Sequence, residues 1–98
     1  MSLDRLRALY DEVQVLTTDN LKDFQMKMET IIKDSFDEPT YRKYKLKIHN
    51  VVIRATMEKM AATIEKNDSY NFEAMLRKDY TSLVDVLVDD LHERKNLF

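Results

Sequence analysis

Two histidines, His49 and His92, are the only imidazoles in this chain, and they fall in different segments. No His-x-x-x-His or Glu-x-x-His pair supplies two metal ligands from one helix face. Glu58, Glu65 and Glu73 are scattered among polar positions, and most Ser and Thr residues stand where helix caps are expected. Cysteine is absent, which excludes disulfides, thiolate catalysis and Cys-ligated zinc. Glycine is absent too. Phosphate-cradling loops, dinucleotide fingerprints and nucleophile elbows need Gly where backbone approaches a ligand or takes positive φ. No catalytic, cofactor-binding or metal-ligating set can be assigned, so a non-enzymatic protein without cofactor or small-molecule substrate is expected.

Charge is the first feature that points to a partner. Arg42-Lys43-Tyr44-Lys45-Leu46-Lys47 is followed by Arg54, so Tyr41 to Met57 holds five Lys or Arg and no Asp or Glu. Cations at the start of a helix oppose its dipole, so stability alone does not favour them there. Arg42, Lys43, Lys45, Lys47 and Arg54 are therefore candidate contacts for nucleic-acid phosphates or an acidic protein, with Tyr41 and Tyr44 available to stack on bases. The plainer reading is a solvated strip facing acidic neighbours in the last helix, Asp85, Asp89, Asp90 and Glu93. The net charge of −2 favours that plainer reading. A helix-turn-helix fits poorly, because the cations lie in a helix of about seven turns rather than in one of two short helices.

The second feature is apolar. At about 100° per residue, Tyr41, Tyr44, Ile48, Val51, Val52, Ala55 and Ala62 share one face of that helix. Leu46, Ile53, Met57, Met60 and Ile64 share the opposite face. A surface helix needs only one apolar face. Either the second face meets a partner, most simply another copy of the chain, or the helix is central and the other helices surround it. Met adapts to the shape of a partner, which suits the first reading. A third candidate is Asp90, which falls among Leu83, Val86, Leu87 and Leu91. An ion pair with Arg94 one turn on explains it simply. The competing reading is a buried carboxylate with a shifted pKa.

The elements that must place these residues are helices. Leu6, Leu9, Tyr10, Val13 and Leu16 recur at three- and four-residue steps, predicting a first helix from a Ser2 cap to about Thr17. Thr17-Thr18-Asp19-Asn20 reads as a turn. Leu21, Phe24, Met28, Ile31, Ile32 and Phe36 mark a second helix over about 21–35. Asp37-Glu38-Pro39 is a helix start, with Asp37 as cap and Pro in the first turn. The long helix then spans about 39–66, with Asn67 as a left-handed cap in place of Gly. A last helical region covers about 70–95, with Phe72, Leu76, Tyr80, Leu83, Val86, Leu87 and Leu91 on one face. The alternative to one continuous helix is an interruption near residues 80–82, with Thr81 or Ser82 capping a separate helix and Asp85 following Ser82 as in a capping box. Asn96-Leu97-Phe98 either frays or is held by docking of Phe98.

These 98 residues are expected to form a single helical domain, 1–98, with 44% hydrophobic residues to build one modest core. The fold class expected is all-α, a small antiparallel bundle of four or five helices organised around the long helix. No apolar run reaches the roughly 18–20 residues that cross a bilayer. Met1-Ser2-Leu3-Asp4-Arg5 lacks the apolar core of a signal peptide, so no membrane association and a cytoplasmic location are expected. The function expected is protein–protein interaction, by self-association or within a complex, through Leu46, Ile53, Met57, Met60 and Ile64. A nucleic-acid-binding regulator using the basic strip is the alternative.

Overall fold

Apolar side chains three and four residues apart give each segment a stripe that must be buried, and four such stripes meet in one core. The computed structural model describes residues 2–96. The expected Ser2 cap and the fate of Leu97 and Phe98 lie outside the described side chains. The described residues form four helices and no strand: α1 (Ser2–Gln14), α2 (Leu21–Ser35), α3 (Glu38–Ile64) and α4 (Phe72–Asn96).

Cross-helix contacts fix the topology. Arg5 bonds Asp34 and Lys27 bonds Glu12, so α1 and α2 run antiparallel. His49 lies against Glu29 and Phe36 packs on Tyr44, so α2 and α3 do as well. Arg94 reaches Thr40 and Tyr44 reaches Asp90, which sets α4 antiparallel to α3. Tyr10 meets Asp85 and Arg77 meets the Leu16 carbonyl, closing the ring between α4 and α1. α1 and α3 thus each pack on α2 and α4 and stand across the core from one another. The long helix is one wall of the bundle, and the other three helices cover it from one side only.

The core draws on every predicted stripe. Leu6, Leu9, Val13 and Leu16 from α1 and its C-terminal turn meet Phe24, Met28, Ile31 and Ile32 from α2. Tyr44, Ile48 and Ala55 come from α3, and Leu76, Tyr80, Leu83, Val84, Leu87 and Leu91 from α4. With 27 and 25 residues, α3 and α4 are nearly twice as long as α1 and α2 with 13 and 15. The molecule is accordingly elongated, 52 × 24 × 20 Å.

Local chemistry explains the helix ends; two sequence expectations change and one open alternative is settled. α1 stops at Gln14 rather than near Thr17, and tight turns follow as Val15 and Leu16 bond the carbonyls of Glu12 and Val13. Asn20 then secures the loop by accepting from the Thr17 amide and donating to the Val15 carbonyl. Asp37 caps α3 as expected, accepting from the Thr40 amide at 3.0 Å. At the other end the left-handed residue is Lys66 (φ 56°), not Asn67. Asn67 donates back to Ala62 and Lys66 to Thr63, the paired bonds of a Schellman motif. Asn71 caps α4 through the Ala74 amide, and α4 then runs unbroken. Thr81 and Ser82 do not start a new helix; their hydroxyls bond the carbonyls four residues back, of Arg77 and Lys78, as such residues do inside a helix.

Candidate interaction surface

The inner stripe of α3 is held in place by hydrogen bonds as well as packing. The Tyr44 ring is buried against Phe36, and its hydroxyl donates to Asp90. Arg94 donates to the same carboxylate at 2.6 Å, to the Thr40 hydroxyl at 3.1 Å, and lies over the Phe36 ring. Burial works against the charge on Asp90, but the bonds from Tyr44 and Arg94 outweigh it and hold its carboxyl below the usual range. Burial, reinforced by Asp90, pushes the Tyr44 phenol well above its ordinary value. Asp90 therefore belongs to a structural ion pair with Arg94, the simpler of its two readings. One turn along, Tyr80 donates to the Ile48 carbonyl and accepts from Gln25, tying α2, α3 and α4 together. Burial raises its phenol to about 12.

The outer stripe has none of this. Leu46, Ile53, Met57, Met60 and Ile64 are 66%, 55%, 65%, 61% and 80% exposed. They lie within an arc of about 60° on the helix cylinder, so they form one straight ridge. Neither α1, α2 nor α4 covers it, and the central-helix reading of that face does not hold. Val15, in the turn after α1, Met26 on α2 and Val86 on α4 are also exposed, but they do not extend the ridge.

The five basic residues do not form one patch. Lys43, Lys47 and Arg54 follow one flank of the ridge, while Arg42 and Lys45 follow the other, about 100° away or more. Arg42 pairs with Glu38 and His49 with Glu29. Among the described residues Lys43, Lys45, Lys47 and Arg54 make no ion pair. Of the four acidic neighbours expected on α4, Asp85 is engaged with Tyr10 and Asp90 with Tyr44 and Arg94. Instead the lysines lie over rings, Lys43 and Lys47 over Tyr44 and Lys45 over Tyr41. Tyr44 is buried, so it cannot stack on a base as the sequence had allowed.

A groove of about 920 Å³ separates the ridge from α4. Lys47, Asn50, Ile53, Arg54 and Met57 line it from the ridge side. Glu58 and Asp79 also line it, each with one buried oxygen that has no hydrogen-bond partner. Asn50 was missed by the reading of apolar residues alone. The signal for it is spacing, since Leu46, Asn50, Ile53, Met57, Met60 and Ile64 follow steps of four, three, four, three and four. Among the described residues no group of three His, Cys, Asp or Glu converges as metal ligands would. No described helix is long and apolar enough to cross a membrane. No family model matches this chain, and the comparisons with curated proteins and with solved structures gave no match.

Proposed function

We propose that this chain is a non-enzymatic, cytoplasmic protein–protein interaction module that binds through the outer ridge of α3. The observation that carries this reading is the exposure of five large apolar side chains in a single line, on a helix whose opposite face already serves the core. Contiguous apolar surface of this kind on a small domain marks an interaction site. Burying five such side chains contributes on the order of 7–15 kcal/mol before the cost of association. Side chains left mostly in water contribute little to folding, and an occupant would give the ridge its use. The test is co-purification of the tagged chain from its own cells, wild type against Met57→Glu and Met60→Glu, with helix content matched by circular dichroism. Wild type should retain a stoichiometric partner, either another protein or a differently tagged copy, that both variants lose. If folded wild type retains nothing that the variants lose, the reading fails.

One observation supports the second reading, a nucleic-acid-binding regulator. Lys43, Lys45, Lys47 and Arg54 are cations without acidic partners among the described residues. Binding to duplex DNA, single-stranded DNA and RNA across a salt series tests it. A nucleic-acid complex would weaken steeply with salt and further in Lys43→Glu and Lys47→Glu, whereas no binding at low salt would remove the reading.

A further inference from the structure

We infer that the occupant of the α3 ridge is a second copy of this chain, its α3 lying antiparallel to the first about a two-fold axis near residues 55–56. The inference rests on the reading of the ridge as an interface and names what fills it.

Three features of α3 argue for it. The alternating steps of four and three from Leu46 to Ile64 are the seam of a two-helix coiled coil, continuous over about 27 Å of uninterrupted helix. Such a seam is complementary to itself. Laid antiparallel, Leu46 meets Ile64 of the second copy, Asn50 meets Met60, and Ile53 meets Met57. Every layer pairs a seam residue of one copy with one of the other, and no apolar member of the ridge is left over.

Charge selects the direction. Along the flank that carries Lys47 and Arg54, the sign reverses past the middle of the helix, where Glu58 and Glu65 follow. Lys47 and Glu65 are eighteen residues apart, five full turns, and so share one line on the cylinder. An antiparallel copy sets Lys47 beside Glu65 of the second copy and Arg54 beside Glu58 of the second copy, twice over by symmetry. Parallel pairing would set Arg42 beside Lys47, bringing cation against cation. It would also align the two acid-free stretches of Tyr41 to Met57. The antiparallel arrangement supplies acidic partners for Lys47 and Arg54, which make no ion pair among the described residues. It also brings a cation to the groove in which Glu58 keeps an unpartnered oxygen.

Sedimentation equilibrium of the full chain over a concentration series tests the inference. Wild type should be a dimer, and Met57→Glu should be a monomer of unchanged helix content. Lys47→Glu should weaken the dimer several-fold, as should Glu65→Lys, and the double exchange should restore it. A wild-type chain that stays monomeric at the highest concentration overturns the inference, as does a dimer indifferent to Met57→Glu. A dimer that Lys47→Glu tightens overturns it too, because that sign belongs to the parallel arrangement. A monomeric wild type that still retains a different protein, lost in Met57→Glu, leaves the ridge an interface and removes only the second copy. A monomer with no such protein removes both.

Discussion

Tyr80 and Tyr44 hold the bundle together through their hydroxyls as much as through their rings. Tyr80 packs edge-on to Phe24, with ring centroids 5.2 Å apart, and bonds α2 and α3 at once. Tyr80→Phe should lower the unfolding free energy by about 1–3 kcal/mol, because ring packing survives and two hydrogen bonds to neighbouring helices are lost. Chemical denaturation measures it. The same residues set the pH limits. Tyr10 and Tyr80 are each raised to about 12, Tyr10 by burial and the Asp85 carboxylate, and Tyr44 is raised further. A phenol raised by folding favours the native state below its unfolded value of about 10, and that contribution is lost as pH climbs through the folded value. Stability should therefore fall between about pH 10 and 12, with tyrosinate absorbance rising together with loss of helix. At the acid end the sign is opposite. Asp37 is lowered by its bonds from Thr40, and Asp90 is lowered despite burial. Both stabilise the fold above about pH 4 and stop doing so as pH drops through their folded values. Sequence reading placed Asp90 next to Arg94, one turn apart, but Tyr44 is 46 residues away and only folding brings it there.

At the scale of elements, the ends of α3 show how a chain without glycine manages. Asp37 and Pro39 make a start that is legible from residue type alone, since a carboxylate cap and a first-turn proline are local devices. The stop was displaced by one residue because the sequence pointed to Asn67, the better left-handed residue. The Schellman bonds place Lys66 there instead and leave the Asn67 side chain to accept from Ser69. Lys66→Gly should raise stability by on the order of 0.5–1 kcal/mol, the left-handed penalty of Lys less the extra unfolded entropy of Gly. A rise in the thermal midpoint checks it. Asn71→Ala, which removes the cap of α4, should cost about 1 kcal/mol in the same assay. The continuity of α4 was not legible. Thr81 and Ser82 are as compatible with a cap as with a helix interior, and the choice rests on Tyr80, Leu83 and Val84 being drawn into the core on one continuous face.

For the whole molecule, stability and association separate by side of α3. Leu87→Ala, at a fully buried position, should cost about 2–5 kcal/mol of folding stability. Met57→Glu, on the outer ridge, should leave folding stability within about 0.5 kcal/mol of wild type and act only on association. If Met57→Glu unfolded the chain instead, the ridge would be part of the core. Helical period depends only on neighbouring residues. The sequence by itself therefore determined that α3 carries two opposed apolar stripes, which residues belong to each, and that four amphipathic segments surround short polar turns. Whether the second stripe is covered by the other helices or left open was settled only by tertiary packing. Tyr44, Ile48 and Ala55 sit where α2 and α4 can reach them, and Tyr44 and Ile48 find hydrogen-bonding partners there as well. The remaining three helices form a ring with α3 rather than a shell around it, so Leu46, Ile53, Met57, Met60 and Ile64 stay in water. Burial is a property of what packs against a face, and the pattern along one helix does not contain it.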